Sequence, residues 1–150
     1  MTMTDLTDNP TRKKESIMLM LTCNTDNDID VIEVEEGRTG NAIRDAVDGL
    51  YDCIHIPSLG VDMWINDEGK LEGLPINANG TALWVSQYGM TDIIVGNIVV
   101  TGGVDEQGNT LGIDVNKIIE VLELANNTMQ NLLSNSSSET NSSREWQWLT

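Results

Sequence analysis

The chain has 150 residues, which is enough for one domain with a single hydrophobic core. Its 24 acidic residues outnumber 8 lysines and arginines, and the formal net charge of -16 repels nucleic-acid phosphates and anionic lipids. Direct binding to nucleic acid and membrane association are therefore not expected, and no stretch approaches the roughly 18 apolar residues of a membrane helix. We expect a soluble, cytoplasmic protein.

Both ends of the chain are too polar to join a core. Residues 1–16 form a predicted flexible segment, and residues 126–150 contain the low-complexity tract "SNSSSETNSS", which lacks the apolar surface to offset its chain entropy. A single domain is therefore predicted over residues 17–125, followed by a disordered tail. The tail ends in "REWQWL", where Trp146 and Trp148 are either incidental or an anchor for a partner or a second copy.

The first elements in chain order are two strands. "IMLMLTC" is continuously apolar and predicts a buried strand, whereas "IDVIEVEE" alternates apolar and acidic residues and predicts a half-exposed strand paired with it in a hairpin. "TGNAIRDAVDG" predicts a short helix that begins at a Thr39 cap and ends at Gly49. "LYDCIHI" and "VDMWI" predict two more strands, and a return strand is expected from Lys70.

The second half of the chain has one ambiguous element. "TALWVSQYG" fits a helix or a strand, and "TDIIVGNIVVTGG" predicts a strand that bends at Gly96. A long helix capped by Asp114 follows, and its expected core-facing residues are Val115, Ile118, Ile119, Leu122 and Ala125. Together the elements predict an α+β fold with a small mixed, mainly antiparallel sheet, one short helix and one longer C-terminal helix.

Side chains for catalysis are scarce. The chain has one histidine, His55, and two cysteines, Cys23 and Cys53, which are expected to be free thiols. Cys53 and His55 lie on one face of a strand at a spacing of about 6–7 Å, which is too long for a nucleophile and its base. Zinc needs about four ligands, and these three residues are the whole supply of cysteine and histidine. We therefore expect no enzyme, no metal and no cofactor.

The excess of acidic residues has two interpretations. It serves either solubility and adaptation to salt, or mimicry of a nucleic-acid backbone, in which carboxylates take the place of phosphates. Mimicry requires that the acids form a stripe, and the sequence shows only their abundance.

Three segments of the sequence occur together in a known pattern. "AVDGLYDCIHI", "INDEGKLEGLPINANGTAL" and "TDIIVGNIVVTGG" resemble a small uncharacterised family found mainly in bacteriophages, plasmids and other mobile elements. That family shows an N-x-E-G-K-L-x-G-L-P-x-N hairpin and a D-I-I-x-G segment. The resemblance implies an origin and a fold, not a reaction, and its recurrent residues are mostly glycine, proline and other residues that set backbone shape.

From these features we predict an accessory protein of a phage or mobile element that acts by binding, against host defence or in host takeover. Its partner is a host or viral protein, and a DNA-handling protein is one target. A small signalling nucleotide is another, provided that Lys70, Arg38 or Arg44 converge on its phosphates. The alternative is a structural or assembly protein anchored by its tail, and homo-oligomerisation stays open. The predicted contact residues are Lys70, Gly73, Pro75, Asn77, Trp84 and Tyr88.

Overall fold

The computed structural model describes residues 16–142, with side chains for residues 16–134. The described residues form five strands and three helices. In chain order these are β1 (Ile17–Cys23), β2 (Ile29–Glu35), α1 (Thr39–Val47), β3 (Tyr51–Ile56), β4 (Val61–Asn66), α2 (Ala78–Tyr88), β5 (Ile98–Thr101) and α3 (Val115–Ser142). The predicted N-terminal segment and the tail residues Trp146 and Trp148 lie outside the described residues.

The five strands form one antiparallel sheet in the order β2-β1-β5-β4-β3. Two hairpins, β1–β2 and β3–β4, flank the short strand β5, whose four residues are all buried. The predicted α+β fold and the predicted first hairpin are therefore confirmed. The late strand β5 completes the sheet by joining two hairpins that are formed earlier in the chain.

Helices cover both faces of the sheet. The short helix α1 packs on one face, here called the α1 face, with the buried residues Met20, Val34, Ile43, Val47 and Val99. Helices α2 and α3 pack on the other, the α2–α3 face, around a larger cluster that includes Leu21, Met63, Leu83, Ile98 and Val121. Because neighbouring strand residues point to opposite faces, the continuous apolar run of β1 supplies both clusters.

Asn77 connects three parts of the chain from inside the molecule. Its side-chain oxygen accepts the backbone N–H of Gly80 at 2.9 Å and so caps the start of α2. Its side-chain nitrogen donates to the backbone carbonyl oxygens of Cys23 and Gly96, each at 2.9 Å. The residue is fully buried. Asn77 therefore holds the fold together and is no part of an exposed contact surface, which differs from the prediction.

The chain around Gly96 departs from the predicted bent strand. Gly96 has a φ of 82°, and a Cβ atom there would lie 2.8 Å from the Leu74 side chain. Upstream of it, Val95 forms only an isolated bridge with Ile76, and regular pairing begins at Ile98. Strand β5 therefore begins only after the bend. The return strand predicted from Lys70 is also wrong, because residues 70–73 form turns.

Both ends of α1 differ from the predicted caps. Arg38 occupies the cap position without a side-chain cap bond, and Thr39 is the first helical residue, with its hydroxyl 3.9 Å from the Met18 sulfur. The C-terminal cap is Asp48, which adopts the left-handed conformation at a φ of 66°, one residue before Gly49. Aspartate tolerates this conformation better than most residues because its short polar side chain bonds locally.

Helix α3 begins as predicted but packs along a narrower stripe. Asp114 accepts the N–H of Lys117 at 2.8 Å, which confirms the predicted cap. Ile118 and Ala125 are buried as predicted, whereas Val115 is 60% exposed and Ile119 is 49% exposed. Buried residues that recur every three or four positions lie on one side of a helix, and this single side is enough for α3 to contact the layer beside it. The helix continues to Ser142, so the predicted domain end at residue 125 falls inside it.

Replacing Asn77 tests its structural role. Asn77→Ala removes a helix cap and leaves two buried carbonyl groups without a donor, so we expect the free energy of unfolding in urea to fall by about 2–4 kcal/mol. Asn41→Ala is the matched control, because Asn41 is exposed on α1. It should change stability by less than about 0.5 kcal/mol. Equal losses for the two variants would contradict the assignment.

Candidate functional site

Six exposed carboxylates follow the outer edge of the sheet. They lie on strand β2 and on the residues next to it, and we call them the acidic edge: Asp26, Asp28, Asp30, Glu33, Glu35 and Glu36. Strand β2 is the end strand, and within residues 16–142 it pairs only with β1. From Asp28 to Glu36 the extended chain spans roughly 27 Å at about 3.4 Å per residue. The structure thus arranges part of the acid excess as a stripe.

The turn before β2 holds the first two acids of the stripe in place. The side-chain oxygen of Asn24 accepts the backbone N–H groups of Asp26 and Asp28, both at 2.9 Å. Asn27 between them adopts a φ of 68°, which asparagine tolerates better than most residues. The turn is therefore defined by its own polar side chains, and it presents Asp26 and Asp28 to solvent.

An open groove lies beside the acidic edge on the α1 face. Its volume is about 790 Å³, and it runs between α1 and strands β1 and β2. Arg38 and Asp45 of the α1 region line it, together with Asn24 and Asn97 at one end. The side-chain oxygen of Asn97 accepts the N–H of Thr25 at 3.2 Å, which ties this end of the groove to the turn before β2. A concave surface therefore lies directly beside the acidic edge.

The predicted contact residues are only partly brought together. Trp84 and Tyr88 pack against each other with ring centroids 4.5 Å apart and ring planes tilted by 44°. The Trp84 indole donates to the Thr91 hydroxyl at 3.0 Å, and Lys70 forms an ion pair with the adjacent Asp92. The segment 91–92 therefore links Lys70 to the aromatic pair. The bond from Lys70 lowers the pKa of Asp92.

The other predicted contact residues shape the loop. Gly73 is exposed at a φ of 70°, and the carbonyl oxygen of Pro75 accepts the N–H of Gly96 at 2.8 Å. The most exposed apolar side chains nearby were not predicted: Leu71 is 88% exposed and Met90 is 77% exposed. Their positions depend on how two loops fold back beside α2, which a sequence pattern does not reveal.

Two of the three basic residues on which nucleotide binding depends, Arg38 and Lys70, do not converge. Arg38 lines the groove on the α1 face. Lys70 lines a small cavity of about 230 Å³ with Ile54 and Ile65, whose side chains belong to the α2–α3 face. Lys70 also pairs with Asp92. A phosphate group in the groove would therefore meet Arg38 without Lys70.

Cys53, His55 and Asp62 form a compact cluster on the α1 face, which we call the Cys53 cluster. His55 lies directly opposite Asp62 in the β3–β4 pair, and the imidazole Nδ1 is 2.6 Å from the Asp62 carboxylate oxygen. One donor atom from each residue lies within 4.8 Å of the other two. The predicted distance of about 6–7 Å describes the spacing of the two residues along the strand, and the donor atoms of their side chains lie closer together than that.

Sequence reasoning missed Asp62, although a signal was present. Strands β3 and β4 are joined by four residues between Ile56 and Val61, and this short loop sets the register that places His55 opposite Asp62. Asp62 is buried, while the His55 side chain is 74% exposed. The cluster thus has a buried acid beneath an accessible imidazole.

The thiol of Cys53 is held in its protonated form. Burial, followed by the charges of Asp62 and Asp52, raises its pKa to about 12. Burial alone raises the pKa of Cys23 to about 12 as well. Because the thiolate is the nucleophilic form, Cys53 is a poor nucleophile at neutral pH.

The comparisons with known proteins gave one match. A family model described as a domain of unknown function (DUF3846) matches residues 18–126. The chain belongs to the DUF3846 family. Comparison with curated proteins and with solved structures found no match. The part matched to DUF3846 begins in β1 and ends within α3, so it includes the acidic edge, the groove and the Cys53 cluster.

Among residues 16–142 of this DUF3846 protein, every helix is too short or too polar to cross a bilayer.

The reactivity of Cys53 tests its raised pKa. The test uses a Cys23→Ala variant, in which Cys53 is the one remaining cysteine, treated with chelator to remove any metal ion. Its rate of reaction with Ellman's reagent should rise with pH and show no plateau up to about pH 11, because the thiolate fraction keeps increasing towards a pKa of about 12. When the same variant is unfolded in urea, its reaction rate should level off above about pH 9, because an exposed thiol has an ordinary pKa. A plateau near pH 9 in the folded protein would contradict the raised pKa.

Proposed function

We propose that this DUF3846 protein is a non-enzymatic binding protein that covers the DNA-binding surface of a basic host protein. It would act in the cytoplasm of a cell that carries the phage or mobile element encoding it. The observation that carries this proposal is the acidic edge, in which six exposed carboxylates line one edge of the sheet. The net charge of -16 adds long-range attraction for a basic partner.

The spacing of the acidic edge supports a contact with phosphate-binding residues. From Asp28 to Glu36 there are five carboxylates along roughly 27 Å of extended chain, or about one per 5–6 Å. One strand of DNA carries a phosphate about every 3.4 Å along its axis. Counted over both sides of the strand, the stripe has somewhat more than half the linear charge of a DNA strand; within β2, Glu33 and Glu35 lie on one side and Asp30 on the other. Carboxylates accept the same bidentate bonds from arginine that phosphates do.

Apolar side chains between the acids supply contact area. Ile29 is 41% exposed and Val31 is 42% exposed, and both lie on the same side of β2 as Glu33 and Glu35. Interfaces commonly combine an apolar centre with charged positions around it. A partner on this edge would therefore bury Ile29 and Val31 while its basic side chains meet the acids.

Solubility is the competing explanation for the acidic edge, since charges on end strands also prevent sheets from pairing edge to edge. The two explanations differ in one respect. Under the solubility explanation the position of the acids on the surface is immaterial, provided that the net charge is kept. Under the proposal the acids of β2 matter and acids elsewhere do not.

Displacement of DNA from basic proteins tests this difference. The probes are purified basic DNA-binding proteins of the host, each bound to a fluorescently labelled duplex, and the measurement is the loss of anisotropy as the DUF3846 protein is added. We expect displacement from at least one of them. The variant Asp30→Asn, Glu33→Gln, Glu35→Gln should weaken it by on the order of tenfold or more.

The matched control removes the same number of charges elsewhere. Asp67→Asn, Glu72→Gln, Glu106→Gln neutralises three exposed acids outside the acidic edge and should leave displacement nearly unchanged. Direct binding of the DUF3846 protein to the same host protein, measured without DNA, should also weaken steeply between about 50 and about 200 mM salt, because the contact is ionic. The proposal is wrong if the two variants behave alike, if salt has no effect, or if none of the host proteins is displaced.

A further inference from the structure

The Cys53 cluster combines three donor types that proteins use for transition metals. It offers a thiol sulfur, an imidazole nitrogen and a carboxylate oxygen, and all three lie within 4.8 Å of one another. Zinc accepts each of these donors, whereas calcium and magnesium prefer oxygen alone. The donor set therefore selects for zinc or a chemically similar ion over the harder cations.

We propose that Cys53, His55 and Asp62 bind one zinc ion on the α1 face of the β3–β4 hairpin. Zinc at about 2.3 Å from sulfur and about 2.0–2.1 Å from nitrogen or oxygen holds tetrahedral ligands roughly 3.3–3.6 Å apart. The imidazole Nδ1 and the carboxylate oxygen are now 2.6 Å apart and would separate slightly to admit the ion. The thiol sulfur would move inward by up to about 1.2–1.5 Å, which a change in its side-chain torsion provides.

The surroundings keep the three ligands in position. His55 and Asp62 are cross-strand partners, and Cys53 lies opposite Trp64 two residues further along the same pair of strands. The Trp64 indole is itself fixed, since its N–H donates to the Thr101 hydroxyl at 2.9 Å and its ring meets Tyr51 edge-on at 5.3 Å. The ligands therefore come from paired strands with a rigid aromatic neighbour, which is a suitable base for a metal site.

The backbone of His55 is held from outside the sheet. The Tyr88 hydroxyl donates to the His55 carbonyl oxygen at 2.7 Å, which links the outer strand β3 to α2. The imidazole itself remains 74% exposed. An ion can therefore reach the cluster from solvent while the strand that carries two of its ligands stays fixed.

Charge also favours a cation at this position. Asp62 is buried, and its described partner is the imidazole of His55, which is charged only when protonated. A buried carboxylate requires compensation, and a divalent ion supplies it directly. On binding, the thiol releases its proton to solvent and the imidazole keeps one N–H on Nε2. Water completes the four-coordinate shell, as in zinc sites with three protein ligands.

The proposed zinc site is separate from the acidic edge. Strand β3 lies at one end of the sheet and β2 at the other. The function of the acidic edge and the binding of zinc can therefore fail independently. Displacement of DNA tests the first, and the following titration tests the second.

Cobalt(II) serves as a spectroscopic probe for zinc. The full chain, stripped with chelator and dialysed, is titrated with Co²⁺ while absorption is recorded. We expect one equivalent to produce a near-ultraviolet sulfur-to-cobalt charge-transfer band and visible bands of tetrahedral cobalt, and we expect Zn²⁺ to remove both. Cys53→Ser should abolish the charge-transfer band, and His55→Ala should weaken binding by about a hundredfold or more.

The control is the other cysteine. Cys23→Ala leaves the cluster intact and should retain the full cobalt spectrum, and Zn²⁺ should slow the reaction of Cys53 with Ellman's reagent in that variant. His55→Ala leaves the buried Asp62 without its imidazole partner, so circular dichroism must first show that this variant is folded, and Cys53→Ser is the second variant that keeps the ion pair. The proposal is overturned if the unmodified chain shows no charge-transfer band, or if Cys53→Ser binds cobalt equally well. Either result would mean that the ion is bound only weakly by acids on the surface.

Discussion

The buried amide of Asn77 is the contact on which the arrangement of the sheet and helices depends. Through three hydrogen bonds it joins the end of β1, the start of α2 and the bend at Gly96. If these partners were absent, the buried amide of Asn77 would carry the full free-energy cost of its removal from water. The amide is therefore stable in the core only when all three segments are in place. The bend in turn delivers β5 to the gap between two hairpins. A single side chain thus couples the sheet to the layer of helices on one face.

The hairpin register decides the chemistry that each edge of the sheet can offer. A four-residue connection places His55 opposite Asp62 and Cys53 opposite Trp64, so two strands bring three donor groups to one point. In the other hairpin, the pairing of Met20 with Ile32 leaves the acids of β2 exposed. The two edges are therefore chemically different, although similar hairpins form them. One carries spread charge, and the other carries a compact set of metal-binding atoms.

Sequence patterns predicted local elements well and long-range placement poorly. The hairpin β1–β2 was predictable because a buried strand and an alternating strand stand next to each other. Helix α2 was ambiguous because Ala82, Leu83 and Trp84 are apolar in succession, so its periodicity is weak. The acidic stripe depends on β2 being an end strand, which follows only after β5 is inserted. The pairing of Asp62 with His55 could have been predicted, because counting outward from the short connection between β3 and β4 places the two residues opposite each other.

The ends of the sheet differ in how they resist extension. On the β3 side the Tyr88 hydroxyl occupies the outward carbonyl oxygen of His55, so a further strand would have to displace it. On the β2 side the backbone N–H of Val31 donates to the carboxylate of its neighbour Asp30 at 3.0 Å, and the exposed carboxylates of β2 would repel a second copy of the same edge. Repulsion of this kind reaches about 10 Å at 0.1 M salt but only about 3 Å at 1 M. At molar salt the charge repulsion at the β2 edge would thus be screened, whereas the hydrogen bond from Tyr88 to His55 at the β3 edge would remain.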